Sequence, residues 1–106
     1  MLNLFQQLLM NKKGFTYIMG NNRPTLYVGA TSDLRRRVWE HKRGKLRGFT
    51  QKYKITKLLY FEYYENIKDA IKREKQLKNW HREWKLNLIK SKNPSLKDLD
   101  PEINSG

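Results

Sequence analysis

Residues 26–41 read LYVGATSDLRRRVWEH. Leu26, Tyr27 and Val28 form a strand-like run that meets Gly29. A polar Ala30-Thr31-Ser32-Asp33 follows, and then a helical pattern crowded with arginine and ending at a histidine. Ser32 or Asp33 can cap a helix from Leu34 to about Arg43, and Gly44 ends it. At about 100° per residue, Leu34 and Val38 lie along one side, with His41 almost on the same line. Arg37 sits roughly 60° from Leu34, one turn before His41, while Arg35, Arg36 and Trp39 point elsewhere. Arg37 and His41 therefore adjoin the sheet-facing stripe, where a pair that only solvates the helix is poorly placed. The plainer alternative is a snorkelling arginine beside a core-edge histidine.

Working outward, Phe15 to Met19 is an aromatic and β-branched run, Gly20 to Pro24 a turn, and Thr25 to Gly29 the returning strand of a hairpin. Alternation puts Phe15, Tyr17 and Met19 on one face, and Tyr27 shares a face with Gly29. If the two faces coincide, two phenols adjoin. On the C-terminal side comes a basic loop over residues 45–52, then a third strand from Ile55 to Tyr64. Its run Leu58-Leu59-Tyr60-Phe61 is nearly continuous and reads as central, covered on both faces. Asn66 or Asp69 starts a second helix that reaches Trp80 or beyond. Helical pattern continues over Lys85 to Lys90, until Asn93-Pro94 breaks it. One domain thus spans residues 14–96, preceded by an extension (1–13, with Met10 the simpler start) and followed by a loosely held tail (97–106). The expected class is α+β, a small three-stranded antiparallel sheet flanked by helices.

Composition narrows the chemistry. With 23 Lys+Arg against 10 Asp+Glu, the net charge is +13, which draws the chain to polyanions: nucleic acid or an anionic membrane surface. There is no cysteine, which excludes disulfides, a thiolate nucleophile and Cys-based zinc, and two histidines are too few for a His-rich metal site. The longest apolar run is too short to span a bilayer, and residues 2–10 lack the marks of a signal peptide, so a cytoplasmic protein is expected.

The second helix carries the sharper signal. Ile67, Ala70, Ile71, Leu77, Trp80 and Trp84 form a broad apolar face; Glu74 projects from within it, and His81 lies near the same line two turns on. Lys68, Lys72 and Lys75 fall on the opposite side. An inward carboxylate needs a cation, hydrogen bonds or a metal to compensate it, and a structural ion pair to Arg37 is one such arrangement. Tyr17, Tyr27, Arg37, His41 and Glu74 converging at one sheet edge would supply the parts of phosphodiester hydrolysis: a base, a cation for the developing charge, and one carboxylate for a hydrated Mg²⁺. Arg35, Arg36, Lys42, Arg43, Lys45, Arg47, Lys52 and Lys54 would track a nucleic-acid backbone, and Trp39 or Tyr53 can stack on a base.

The order of these residues resembles the GIY-YIG nuclease family, closest to small single-domain members like the N-terminal domain of the excinuclease C subunit. Phe15-Thr16-Tyr17 stands where that family has Gly-Ile-Tyr, and Tyr27-Val28-Gly29 where it has Tyr-Ile-Gly. Arg37, His41 and Glu74 follow in the family's order, and Asn93 matches its late asparagine. Phe15 departs from the motif's first glycine. The resemblance implies one divalent metal, Mg²⁺ or Mn²⁺, on Glu74, with hydrolysis of DNA as the reaction. Tyr17 would be the base or would position the attacking water, with Tyr27 supporting it. Arg37 would stabilise the phosphate and His41 assist proton transfer. Gly29 and Asn93 join the basic residues as expected nucleic-acid contacts. A binding module that uses the same basic scaffold without cutting is the rival reading.

Overall fold

Strand alternation sorts the hairpin into two faces, and each face takes its own layer of helix. The computed structural model describes residues 12–45 and 48–100. Its elements run β1 (Gly14–Gly20), β2 (Leu26–Thr31), α1 (Leu34–Lys42), α2 (Phe49–Lys52), β3 (Lys57–Tyr64), α3 (Ile67–Lys78) and α4 (Arg82–Lys92). The sheet is antiparallel with order β2-β1-β3. The α+β class is as expected; the central strand is not, since β1 lies in the middle and β3 at an edge. The apolar run of β3 has another cause. An irregularity in register at Ile18/Met19 lets both Leu59 and Tyr60 face the α3–α4 layer, while Leu58 faces α1, so helices rather than flanking strands cover the run.

On one face Tyr17, Met19, Leu34, Val38, Ile55 and Leu58 pack together, with Phe15, Tyr27, Phe61 and Leu99 against them. On the other, Ile18, Val28, Leu59, Tyr60, Leu77 and Ile89 form the core. Asp33 is the cap of α1, its Oδ1 accepting from the Arg36 amide at 3.1 Å, and Asn66 caps α3 through the Lys68 amide at 2.9 Å.

Two observations seat α3 on β1. The Thr16 hydroxyl donates to the Ala70 carbonyl at 2.7 Å, the same carbonyl that the helical pattern offers to the amide of Glu74. A Cβ on Gly14 would stand 2.8 Å from the Ile67 Cα, so only glycine lets the helix backbone come this close.

The C-terminal half departs from expectation in three ways. Asn79 caps α3, and a new helix begins at Arg82 with His81 as its N-cap, so His81 and Trp84 leave the line of Glu74. Trp84 is 54% exposed and Ile71 is also exposed, neither joining the core. Residues 97–100 are held rather than loose. Asp98 accepts from the Leu58 amide at 3.1 Å and pairs with Lys42, and the Leu99 amide donates to the Leu58 carbonyl at 2.8 Å. The extension over 1–11, including Met10, and the tail over 101–106 lie outside the described residues.

Candidate active site

The hairpin register pairs Tyr17 with Gly29 and Met19 with Tyr27, which places both tyrosines on the face covered by α1. The buried stripe of α1 is Leu34, Val38 and His41, so the imidazole points at that same face. Tyr17 Oη and His41 Nε2 are 3.2 Å apart. The Tyr27 ring completes the cluster, 5.3 Å from His41 and 6.3 Å from Tyr17 between centroids. Tyr17 is 1% exposed and His41 4%.

Room for the phenol comes from Gly29. A Cβ there would fall 2.4 Å from Tyr17 Oη and 2.5 Å from Cζ, so the Tyr17 ring fills the space a side chain would take. Gly29 is itself buried. Its role in the fold is therefore to admit Tyr17, and its burial does not favour the nucleic-acid contact expected of it.

Burial sets the electrostatics of the pair. It pushes the Tyr17 phenol well above the ordinary tyrosine value; Tyr27 and the charge of Glu74 add to this, and Arg37 opposes it. Burial also lowers His41 to about 4, with the Arg37 cation acting in the same direction and Glu40 against it. Both members are thus neutral at pH 7, and His41 Nδ1 is buried without a hydrogen-bond partner among the described residues. A linkage follows. The folded His41 binds a proton less readily than an unfolded histidine near 6.5, so its contribution to stability is full above that value and is lost as pH falls toward about 4. Between pH 6.5 and 5, above the ordinary carboxylate range, the urea midpoint of the native chain is expected to fall with pH, and that of His41→Gln to stay flatter. Parallel slopes for the two proteins would rule His41 out as the source.

Arg37 and Glu74 stand within electrostatic reach of Tyr17, as their effects on its phenol show, but they do not pair with each other. Arg37 Nε lies 3.6 Å from Glu40 Oε1, and Glu74 Oε2 lies 3.3 Å from Lys78 Nζ. Glu40 is the residue that the sequence did not single out. It also lies 3.6 Å from Arg36, and with Thr31, Ser32, Asp33 and both arginines it lines a cleft of about 190 Å³. Its position three residues after Arg37 is the signal that would have found it. Among the described residues no three of His, Cys, Asp and Glu form a metal cluster.

A second network lies in the α3–α4 layer. Glu62 accepts from Tyr60 Oη (2.5 Å), Tyr64 Oη (2.7 Å) and both Nε and Nη2 of Arg73 (3.0 and 3.2 Å). Burial pushes the Glu62 carboxyl up, but the bonds from Arg73 and the two phenols outweigh it and hold it below the usual carboxylate range. Arg73 precedes Glu74, so this network fixes the turn that presents Glu74.

The expected nucleic-acid contacts divide. Arg35 and Arg36 are exposed on α1. Arg43 and Lys45 lie over the Trp39 ring, 5.5 and 5.9 Å from its centroid, and Trp39 is 49% exposed. Lys42 instead pairs with Asp98 and Asp100, which ties α1 to the end of the described chain and neutralises its charge. Lys52 and Lys54 sit with Tyr53 away from the Tyr17 cluster, and Arg47 lies outside the described residues.

Asn93 is corrected outright. At 2% exposed, its Nδ2 donates to the carbonyls of Leu59 (3.0 Å) and Lys97 (2.8 Å), and its Oδ1 accepts from the Lys97 amide (3.2 Å). It joins β3 to the turn after α4 and has no atom left for a nucleic acid. Asn93→Ala is expected to lower stability by about 1–3 kcal/mol, because it strands buried backbone groups. A thermal melt checks this; an unchanged midpoint would contradict the assignment.

Comparison with known proteins gives the family and the fold. The model of the GIY-YIG catalytic domain matches residues 13–87. A UPF0213 protein of Clostridium perfringens (strain 13 / Type A) is 36% identical over 90 residues, covering 85% of this chain and 97% of its own. A UPF0213 protein of Staphylococcus aureus (strain Mu3 / ATCC 700698) is 37% identical over 78 residues, covering 74% and 95%. The solution NMR structure of a UPF0213 protein from Bacillus halodurans shares the fold, with a TM-score of 0.53 at 22% identity over 84% of this chain and 95% of that one. The matched segment runs from the strand that carries Tyr17 to beyond Glu74, and on that match the chain belongs to the GIY-YIG family.

Proposed function

We propose that the chain is a divalent-metal-dependent endonuclease that hydrolyses phosphodiester bonds in DNA. The observation that carries this reading is the buried Tyr17–His41 contact of 3.2 Å, with Arg37 and Glu74 close enough for their charges to act on Tyr17. Burial opposes charge on either ring, so a stable phenolate or imidazolium is disfavoured. The pair instead suits a relay in which Tyr17 Oη takes a proton from the attacking water as its own proton passes to His41 Nε2; no phenolate forms, and the imidazolium is short-lived because burial and Arg37 drive its proton on. Arg37 is half-exposed, and its 3.6 Å approach to Glu40 is longer than a hydrogen bond, so its donors can turn to a phosphate oxygen. Tyr27 walls the cluster and keeps His41 in line.

Glu74 is the residue that would hold the metal. One carboxylate, outside any cluster of three His, Cys, Asp or Glu among the described residues, does not suit zinc; it suits an oxygen-seeking ion that keeps most of its waters. Its pair with Lys78, of the i,i+4 kind, is worth about 0.3–0.5 kcal/mol and yields readily to a cation. A bound Mg²⁺ or Mn²⁺ supplies neutralisation of the charge that develops on phosphate and leaving oxygen. The test is a panel of single-stranded, duplex, flapped and branched DNA, with matching RNA, incubated with metal added, omitted or chelated. Metal-dependent products are expected from DNA. Salt-sensitive binding indifferent to chelator, with no product from any substrate, would leave a binding module instead.

A further inference from the structure

The tip of the hairpin holds a surface that the Tyr17 cluster does not use. Asn21 ties the tip to the segment after α2: its Nδ2 donates to the Tyr53 carbonyl at 2.9 Å, and its Oδ1 accepts from the amides of Arg23 (3.0 Å) and Thr25 (2.6 Å). Between the two segments lies a groove of about 390 Å³, lined by Asn22, Arg23, Lys52, Tyr53, Lys54 and Lys57 among others. Four of these are cations, and no carboxylate lines the groove among the described residues. Lys54 is held at φ +52°, a left-handed conformation rare for lysine and found where surrounding structure or function imposes it.

The aromatic component is equally specific. Tyr53 and Phe49 are both exposed, with ring centroids 4.8 Å apart, and Lys52 Nζ stands 5.5 Å from the Tyr53 centroid. Exposed rings interleaved with cations are how proteins hold single-stranded nucleic acid: bases stack on the rings and phosphates meet the cations. A volume near 390 Å³ lies at the small end of ligand sites and suits one nucleotide rather than a duplex. Pro24 precedes Tyr27 by three residues, so the tip lies roughly 10 Å along β2 from the wall of the candidate active site.

We infer that this groove binds a nucleic-acid strand in single-stranded form, with a base on Tyr53 and the adjoining phosphates on Arg23, Lys54 and Lys57. The inference deepens the nuclease reading and rests on it only for purpose: the groove would select substrates that carry a single-stranded segment beside the cleavage point.

The test uses full-length Glu74→Ala protein in chelator, so that no cleavage interferes, and reads fluorescence anisotropy with a labelled dT 20-mer and a blunt duplex of the same length. Tighter binding of the single strand is expected. Tyr53→Ala should weaken it about five- to a hundredfold. Arg23→Ala with Lys57→Ala should reduce the salt slope by about 1.4, two phosphates at about 0.7 each. The control is Lys68→Ala with Lys72→Ala, which removes the same charge from the exposed side of α3. A groove effect no larger than the control's, or equal affinity for strand and duplex, overturns the inference. Because binding is read on inactive, metal-free protein, that result would leave the nuclease reading standing, and absence of cleavage by the native chain would leave the groove standing.

Discussion

Glu74→Ala is expected to reduce metal-dependent cleavage by about a thousandfold or more while leaving the thermal midpoint nearly unchanged. The two halves of this expectation come from the same geometry. Glu74 has one ion pair, with a half-exposed lysine one turn on, and such pairs contribute only about 0.3–0.5 kcal/mol. Alanine is also the better helix former, so the interior of α3 is not weakened. The helix is seated by Gly14, Thr16 and the Glu62–Arg73 network, none of which uses the Glu74 carboxylate. Loss of activity therefore cannot be laid to unfolding. Cleavage assays across a metal titration, run beside a thermal melt, decide the matter. Retained cleavage in purified, folded Glu74→Ala would remove Glu74 from the site and the metal with it.

Gly29→Ala is expected to damage both stability and cleavage, although it adds a single methyl group. The new Cβ would meet Tyr17 Oη at 2.4 Å, Cζ at 2.5 Å and Cε1 at 2.8 Å, and the ring it strikes is fully buried. Overpacking of this kind costs about 1–3 kcal/mol. Any movement that relieves the clash disturbs the 3.2 Å Tyr17 Oη–His41 Nε2 contact, and a displacement of about 1 Å at a reacting group lowers rate by about a hundredfold. Gly44→Ala is the comparison. A Cβ there meets nothing within 4 Å, and only its φ of +65° is strained, so stability drops modestly and cleavage persists. Denaturant melts and initial rates on both variants test the pair; equal cleavage by Gly29→Ala and the native chain would show that the Tyr17 position is not critical.

What the sequence revealed follows from which periodicities are rigid. The strand period of two grouped Tyr17 with Phe15 and Met19 and Tyr27 with Gly29, and the helix wheel aligned His41 with Leu34 and Val38, because neither depends on distant contacts. That the two tyrosine faces coincide is a matter of hairpin register, which the sequence left open. Strand order was not legible: the run Leu58 to Phe61 looked central because burial on both faces looks alike whether neighbouring strands or helices supply it. The wheel also misled once it was carried past Asn79, where the chain caps one helix and turns into the next, and this took His81 and Trp84 off the line of Glu74. Asn93 stood as a helix breaker and an expected nucleic-acid contact, and Asp98 as part of a loosely held tail, yet their partners at Leu58, Leu59 and Lys42 lie 34 to 56 residues away. Glu62 was readable in principle. Tyr60-Glu62-Tyr64 alternates on one face, and a carboxylate between two phenols that face a helix must find a cation there.

The seating of α3 on β1 carries a consequence for how the chain can change. The odd residues of β1 present Tyr17 to one layer, while Gly14 and Thr16, on the even side, anchor the helix that bears Glu74 in the other. One strand thus sets the phase of both layers. A single inserted or deleted residue between Gly14 and Tyr17 would exchange the two sides, turning the phenol toward α3 and detaching the glutamate's helix. The segment therefore admits no change of length, whereas the turn that ends α1 at Gly44, far from either anchor in the chain, can grow without disturbing the phase.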